Sequence, residues 1–212
     1  MLCLGAEHPP DGPEWRYELK LDGFRAIGRR SGRSAKLWSR NQKDRTSRFP
    51  AIGETLAELP SDTVIDGEIV ALDSDGKPSF NLLQGYGTKA ESVMYAFDLI
   101  MLRGRDVRTW PLEERRADLH DLAHARSGAM RFSENFNVPC SGLVLVEVVR
   151  EHRLEGIVAK RAGSPYHSGE RSADWVKWRA NRGQEFVVGG YMPDADRIDS
   201  LLVGYHSDGV LL

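Results

Sequence analysis

The chain has two cysteines, Cys3 and Cys140, among 212 residues. That is too few for a disulfide framework or for a zinc site built on cysteine. No apolar run approaches the roughly 20 residues of a membrane span, and Met1-Leu2-Cys3 lacks the basic start and apolar stretch of a secretory signal. There is no internal repeat and no low-complexity linker. These absences make a cytoplasmic protein with no membrane contact the expectation. What is present is an ordinary soluble mixture, 41% hydrophobic and 28% charged, long enough to bury a core.

The formal net charge of −2 hides an uneven distribution. Residues 16–48 carry eleven Lys/Arg against three acids, whereas residues 54–80 carry seven acids against Lys77 alone. A basic block in a near-neutral chain points to an anionic partner such as phosphate or nucleic acid, and equally describes a solvated charged face.

Periodicity predicts strands at 15–21, 24–30, 35–39, 63–72, 92–102, 155–161 and 173–179. It predicts helices at 50–59, opened by Pro50, at "WPLEERRADLHDLAHAR", and at 140–153 with apolar Leu143, Val144, Val146 and Val149. After Arg182-Gly183 the texture becomes strand–turn–strand, in "QEFVVGGYM" and "SLLVGYH", then Asp208-Gly209 and "VLL". Antiparallel-looking strands mixed with helices read as an α+β fold rather than a βαβ alternation.

Within "YELKLDGFR", Glu18 and Lys20 share one strand face just before the turn-forming Asp22-Gly23 and Arg25. By the same alternation Asp66 and Glu68 project together, as do Tyr95, Phe97 and Leu99. So do Glu155, Ile157, Ala159 and Arg161, and so do Trp175, Lys177 and Arg179. Taken singly, each set also reads as core or wet edge. Together they hold the pieces needed to move a nucleotide onto lysine. An amine nucleophile must be neutral, although the ordinary lysine pKa is about 10.4. Neighbouring cations and burial favour the neutral form, a task for Lys177, Arg179 and a metal. A purine needs an aromatic plate such as Phe97. Ribose needs a carboxylate and a planar donor, for which Glu68 and Arg25 suit. Polyphosphate transfer needs Mg²⁺ on an oxygen ligand such as Glu155.

"KLDGFR" (20–25), "SRN" (39–41), "DGE" (66–68), "FDL" (97–99), "EGIVAKR" (155–161) and "WVK" (175–177) resemble, in order, the motifs of the lysyl-adenylate nucleotidyltransferases. The closest resemblance is to bacterial ATP-dependent DNA ligases, including the ligase module of end-joining enzymes. It implies that Lys20 becomes covalently adenylated by ATP. Glu18 would contact the adenine amino group beside Leu19, with Phe97 stacked on the ring and Ile157 beneath it. Arg25 and Glu68 would hold the ribose, and Arg40 a phosphate of the nucleotide or of the DNA 5′ end. Glu155, joined by Asp66, would serve Mg²⁺ or Mn²⁺, and Lys177 with Arg179 the α-phosphate. The implied fold is an adenylation domain of two antiparallel sheets with flanking helices over 1–182. It would be followed over 183–212 by the first strands of an OB-fold. The implied partners are nicked or broken double-stranded DNA and other end-joining or repair proteins, in a nucleoid setting.

Two departures stand out. The family's Lys-x-Lys is here Lys177-Trp178-Arg179, which exchanges a point charge for a planar fork. An OB-fold has five strands, and Leu212 is expected to fall inside the third, leaving nick sealing by this chain alone in question. RNA ligases and mRNA-capping guanylyltransferases share Lys-x-Asp-Gly, and an idle nucleic-acid-binding module would share the basic block. His120 and His124 in "HDLAH" have the spacing of a zinc-protease helix, but an aspartate stands where the glutamate is required, so a surface helix is expected. "GYGTK" (85–89) lacks phosphate-loop spacing and reads as a loop.

Overall fold

The computed structural model describes residues 1–84, 90–136, 142–152, 154–180, 186–194, 196–207 and 209–212. The chain divides into two compact units, Met1–Ala180 and Asn181–Leu212. The boundary expected at 183, and the "GYGTK" loop, lie outside the described residues.

In chain order the first unit contains β1 (Leu2–Gly5), β2 (Trp15–Leu19), β3 (Phe24–Ser31), β4 (Ser34–Ser39), α1 (Pro50–Ala57) and β5 (Thr63–Ala71). Then come α2 (Phe80–Gln84), β6 (Ser92–Leu102), β7 (Arg105–Asp106), α3 (Leu112–His124) and β8 (Met130–Phe132). The unit closes with α4 (Gly142–Glu151), β9 (Gly156–Arg161) and β10 (Arg171–Arg179). Two sheets result. The first has the order β1-β10-β9-β2, the second β4-β3-β5-β6-β7, with β8 on β6. Pairing is antiparallel except at β1–β10 and β6–β8, which are parallel. In this unit β1, β7, β8 and α2 are the labelled elements that periodicity does not announce.

Apolar burial explains the layering. Ile52 and Leu56 of α1 and Leu119 and Ala123 of α3 pack with Ile65, Ile69, Met94, Ala96 and Leu99 of the second sheet. Leu145, Val146 and Val149 of α4 pack with Trp15, Tyr17, Ile157, Ala159 and Trp178 of the first. Val144, expected on that stripe, is instead half exposed, because the helical period gives its place to Leu145. Each sheet thus has a helix-covered apolar face, and a smaller group of Met1, Tyr166 and Trp175, with Cys3, Phe97 and Ile100, packs beside the pocket.

Phe97 reaches that group through a bulge. The β5–β6 register runs Asp66 opposite Asp98, then Gly67 opposite Ala96, leaving Phe97 as the extra residue. A bulge re-aims one side chain and resets the alternation. Leu99 therefore enters the helix-side core, and the shared face expected for Tyr95, Phe97 and Leu99 does not form.

The second unit contains β11 (Val187–Asp194), β12 (Arg197–Gly204), β13 (His206–Ser207) and β14 (Val210–Leu211). β11 and β12 form an antiparallel hairpin, and β13 pairs with β14. Pro193 sits at a register shift, one of the strand positions that tolerate proline.

Consecutive arginines on α3 tie the helix to the sheets. Arg115 donates to both oxygens of Asp98, at 2.8 and 3.0 Å, and the two side chains are wholly buried. Removing one member of such a pair strands the other charge, at a typical cost of about 3–5 kcal/mol. Asp98→Ala should therefore lower unfolding stability by about that amount in a urea titration. A loss under about 1 kcal/mol, the range of an exposed pair, would contradict the pairing.

Candidate active site

A pocket opens between the two sheets, with about 620 Å³ of non-protein space including its mouth. The first sheet contributes Glu18, Leu19, Val158, Lys160, Trp175 and Lys177, with Lys20 just past β2. The second contributes Arg25, Glu68 and Phe97. Apolar walls from Leu19, Val158, Phe97 and Trp175 surround a few charged groups, the lining pattern of small-molecule sites.

Backbone register brings Lys20 to Glu155. Leu19 stands opposite Ile157, and the next N–H, that of Lys20, donates to the Gly156 carbonyl at 3.0 Å. Lys20 Nζ then donates to Glu155 Oε1. On the other side Arg179 stands opposite Gly156, placing its guanidinium 3.6 Å from the same carboxylate oxygen. A Cβ at Gly156 would collide with the Trp178 carbonyl, so glycine permits this close approach of β9 to β10. Gly23 plays the matching part in "DGFR": a Cβ there would strike the Ile69 carbonyl of β5.

Glu155 Oε2 is buried without a hydrogen-bond partner among the described residues. An orphaned carboxylate oxygen at a pocket is what a hard divalent cation requires, so the residue fits Mg²⁺ or Mn²⁺. Asp66 does not fit. It is fully buried, accepts from Arg25 at 3.0 and 2.5 Å, and accepts from the Tyr166 hydroxyl at 2.7 Å. The expectation that it ligates metal is corrected: Asp66 anchors Arg25, the expected ribose contact.

Ile157 is also corrected. It is 1% exposed and packs beneath α4, while the pocket-facing residues of β9 are Val158 and Lys160. Strand alternation explains the miss. Glu155 precedes β9, across the Gly156 approach, so it does not share the phase of Ile157 and Ala159.

Glu18 reaches the pocket already held. Its Oε1 lies 2.6 Å from both Arg116 and Lys160, and its Oε2 accepts from Ser133 at 2.9 Å. Burial pushes the Lys160 ammonium below the usual lysine range, against the pull of Glu18. The Lys160 Nζ stands 4.7 Å from the Phe97 ring centroid and 4.4 Å from that of Trp175. Arg116, Ser133, Lys160 and Val158 are contributors that sequence reasoning did not select. Val158 and Lys160 carried a signal, the opposite phase of "EGIVAKR"; Arg116 and Ser133 come from distant segments and carried none.

The remaining expected residues divide in two. Arg25, Glu68, Phe97, Lys177, Leu19 and Lys20 line the pocket together. Arg40 stands exposed at the turn after β4, outside the residues that line it. The basic block also divides: Arg25 pairs with Asp66 and Arg30 donates to the carbonyls of Ala57 and Leu59, whereas Arg29, Arg33, Lys36, Arg40 and Lys43 are exposed.

The ATP dependent DNA ligase domain model matches residues 10–179. The chain belongs to that family. The multifunctional non-homologous end joining protein LigD of Pseudomonas aeruginosa is 40% identical over 214 residues, covering 97% of this chain and 25% of the relative. The SPbeta prophage-derived DNA ligase-like protein LigB of Bacillus subtilis is 31% identical over 197 residues, covering 90% of this chain and 70% of the relative. Among solved structures, a mycobacterial DNA ligase D complexed with ATP and MES superposes with a TM-score of 0.74 at 34% identity. That match covers 99% of this chain and 70% of the solved one. The ligase domain therefore spans about a quarter of the length of the LigD relative it matches. Its α+β architecture is the nucleotidyltransferase fold that the motifs implied, with one parallel pairing in each otherwise antiparallel sheet.

Glu68 gives the pocket a pH signature. Burial foremost, against Lys20 and Arg25, pushes its carboxyl up to about 8. The folded ligase domain thus holds a proton that the unfolded chain releases near 4.5. The contribution of Glu68 to stability is complete below that pH and is lost as pH rises through about 8. Thermal unfolding of Glu68→Gln and wild type across this range should show the variant gaining relative stability up to about pH 8, then levelling. A difference independent of pH contradicts the assignment.

Proposed function

We propose that this ligase domain activates DNA ends for sealing through a covalent adenylate on Lys20. The observation that carries the reading is the placement of Lys20 between the sheets, bonded to Glu155 and sharing the pocket with Lys177. The Lys20 nitrogen attacks the α-phosphorus of ATP. An N–P bond forms as the P–O bond to pyrophosphate breaks, and the amine proton passes toward Glu155, which already accepts from Nζ. AMP then moves to a DNA 5′-phosphate, which a neighbouring 3′-hydroxyl attacks to close the strand and release AMP.

Phe97 and Val158, from opposite sheets, supply apolar plates for adenine. Glu18, fixed by Arg116 and Lys160, accepts from the adenine amino group, with Leu19 in the adjoining wall. Arg25 and Glu68 hold the ribose, and Lys177 with Arg179 holds the α-phosphate. Glu155 would hold Mg²⁺ or Mn²⁺, which neutralises developing charge on phosphate oxygens. Arg40 and the exposed cations of the β3–β4 hairpin meet DNA phosphates. In this reading residues 1–182 form the adenylation domain and 183–212 the opening of an OB-fold. Nicked or broken duplex DNA is the partner, with other end-joining or repair proteins, in the cytoplasm at the nucleoid.

Incubation with labelled ATP and Mg²⁺ tests the proposal. Lys20→Ala should give no covalent label, while a folded variant that labels at the wild-type level would refute it. Phe97→Ala should weaken ATP binding several-fold, since an aromatic contact is worth roughly 0.5–1.5 kcal/mol beyond area burial. Unchanged ATP affinity in the folded variant would return Phe97 to a packing role.

A further inference from the structure

His120 and His124 lie one helical turn apart on α3, and Glu134 follows β8. A ring nitrogen from each histidine and a carboxylate oxygen of Glu134 all lie within 4.8 Å of one another, on exposed side chains. The imidazoles are stacked, with centroids 3.9 Å apart. Both rings rest against Phe132, His120 edge-on at 5.3 Å and His124 tilted at 6.5 Å. Phe132 is itself capped by the Arg116 guanidinium, 4.5 Å from its centroid.

The hydrogen bonding orients the lone pairs. His124 Nδ1 lies 3.0 Å from the His120 carbonyl oxygen, which can only accept, so the hydrogen belongs on Nδ1 and Nε2 is the free donor atom. His120 Nδ1 lies 3.4 Å from the Asp121 carboxylate, with the same polarity. A histidine that ligates metal through one nitrogen ordinarily gives its other N–H to a carbonyl or carboxylate. Both rings meet that condition.

We propose that His120, His124 and Glu134 bind one first-row transition-metal dication, zinc foremost, with water completing the coordination. Two imidazoles and one carboxylate suit zinc, whereas magnesium prefers an all-oxygen shell. Bonds of about 2.0–2.1 Å put tetrahedral ligand atoms about 3.4 Å apart, a separation the exposed side chains reach by rotamer adjustment. The site is separate from Glu155 and uses none of the nucleotide-pocket residues. Its consequence is mechanical. Arg116, one turn before His120, holds Glu18, and Glu134 follows Ser133, which also holds Glu18. A metal joining α3 to the segment after β8 clips together two of the three elements that hold Glu18, the third being β9 through Lys160. "HDLAH" has an aspartate where a zinc protease has its general base, so the proposed role is binding without hydrolysis.

Isothermal titration of chelator-treated protein with Zn²⁺, alongside thermal unfolding, tests the site. Wild type should bind one more equivalent than His120→Ala/His124→Ala, and zinc should raise its melting temperature but not that of the double variant. Glu134→Gln, which keeps the side-chain size, should weaken the same equivalent by about tenfold or more, and it decides the matter if the histidine changes unfold the chain. Equal stoichiometry and affinity in wild type and variants, or no zinc binding by wild type, would overturn the proposal.

Discussion

The pocket depends on one constraint: a carboxylate taken out of water between two sheets must be met by a cation from another element. Glu18 on β2 is met by Lys160 on β9 and Arg116 on α3. Asp66 on β5 is met by Arg25 on β3. Asp98 on β6 is met by Arg115 on α3. Uncompensated, each would cost several kcal/mol. Paired, they fix the spacing of the sheets and the angle of α3, and so position Phe97, Val158 and Lys20 around one space.

Against that background two carboxylates differ. Glu155 shares one oxygen with Lys20 and Arg179 and keeps the other buried with no hydrogen-bond partner among the described residues. Glu68, buried beside Lys20 and Arg25, retains its proton up to about pH 8. Unsatisfied or displaced ionisation of this kind is unfavourable for the empty fold and favourable for a ligand that brings a cation, hydroxyls and phosphates. These two carboxylates are the ones the proposed function gives to metal and ribose.

Much of this was legible in sequence because it is local. The strand period put Glu18 and Lys20 on one face at the end of a strand and aligned Lys177 with Trp175, and Asp22-Gly23 marked the turn that follows, where Gly23 passes close over β5. What was not legible is where period breaks or distance intervenes. The bulge at Phe97 moved Leu99 to the other face. The approach at Gly156 separated Glu155 from the phase of Ile157, so Val158 faces the pocket instead. Asp66 looked like a free ligand because its partners, Arg25 and Tyr166, lie 41 and 100 residues away along the chain. "EERRADL" reads as a wet helix face, yet Arg115 and Arg116 are buried because Asp98 and Glu18 wait beneath them. No one-dimensional pattern encodes that.

The most direct measurement is peptide mapping by mass spectrometry after incubation with ATP and Mg²⁺. The account predicts one AMP per chain, carried on the peptide containing Lys20 through an acid-labile phosphoramidate bond. AMP on another lysine, or none on a folded protein that binds ATP, would contradict it.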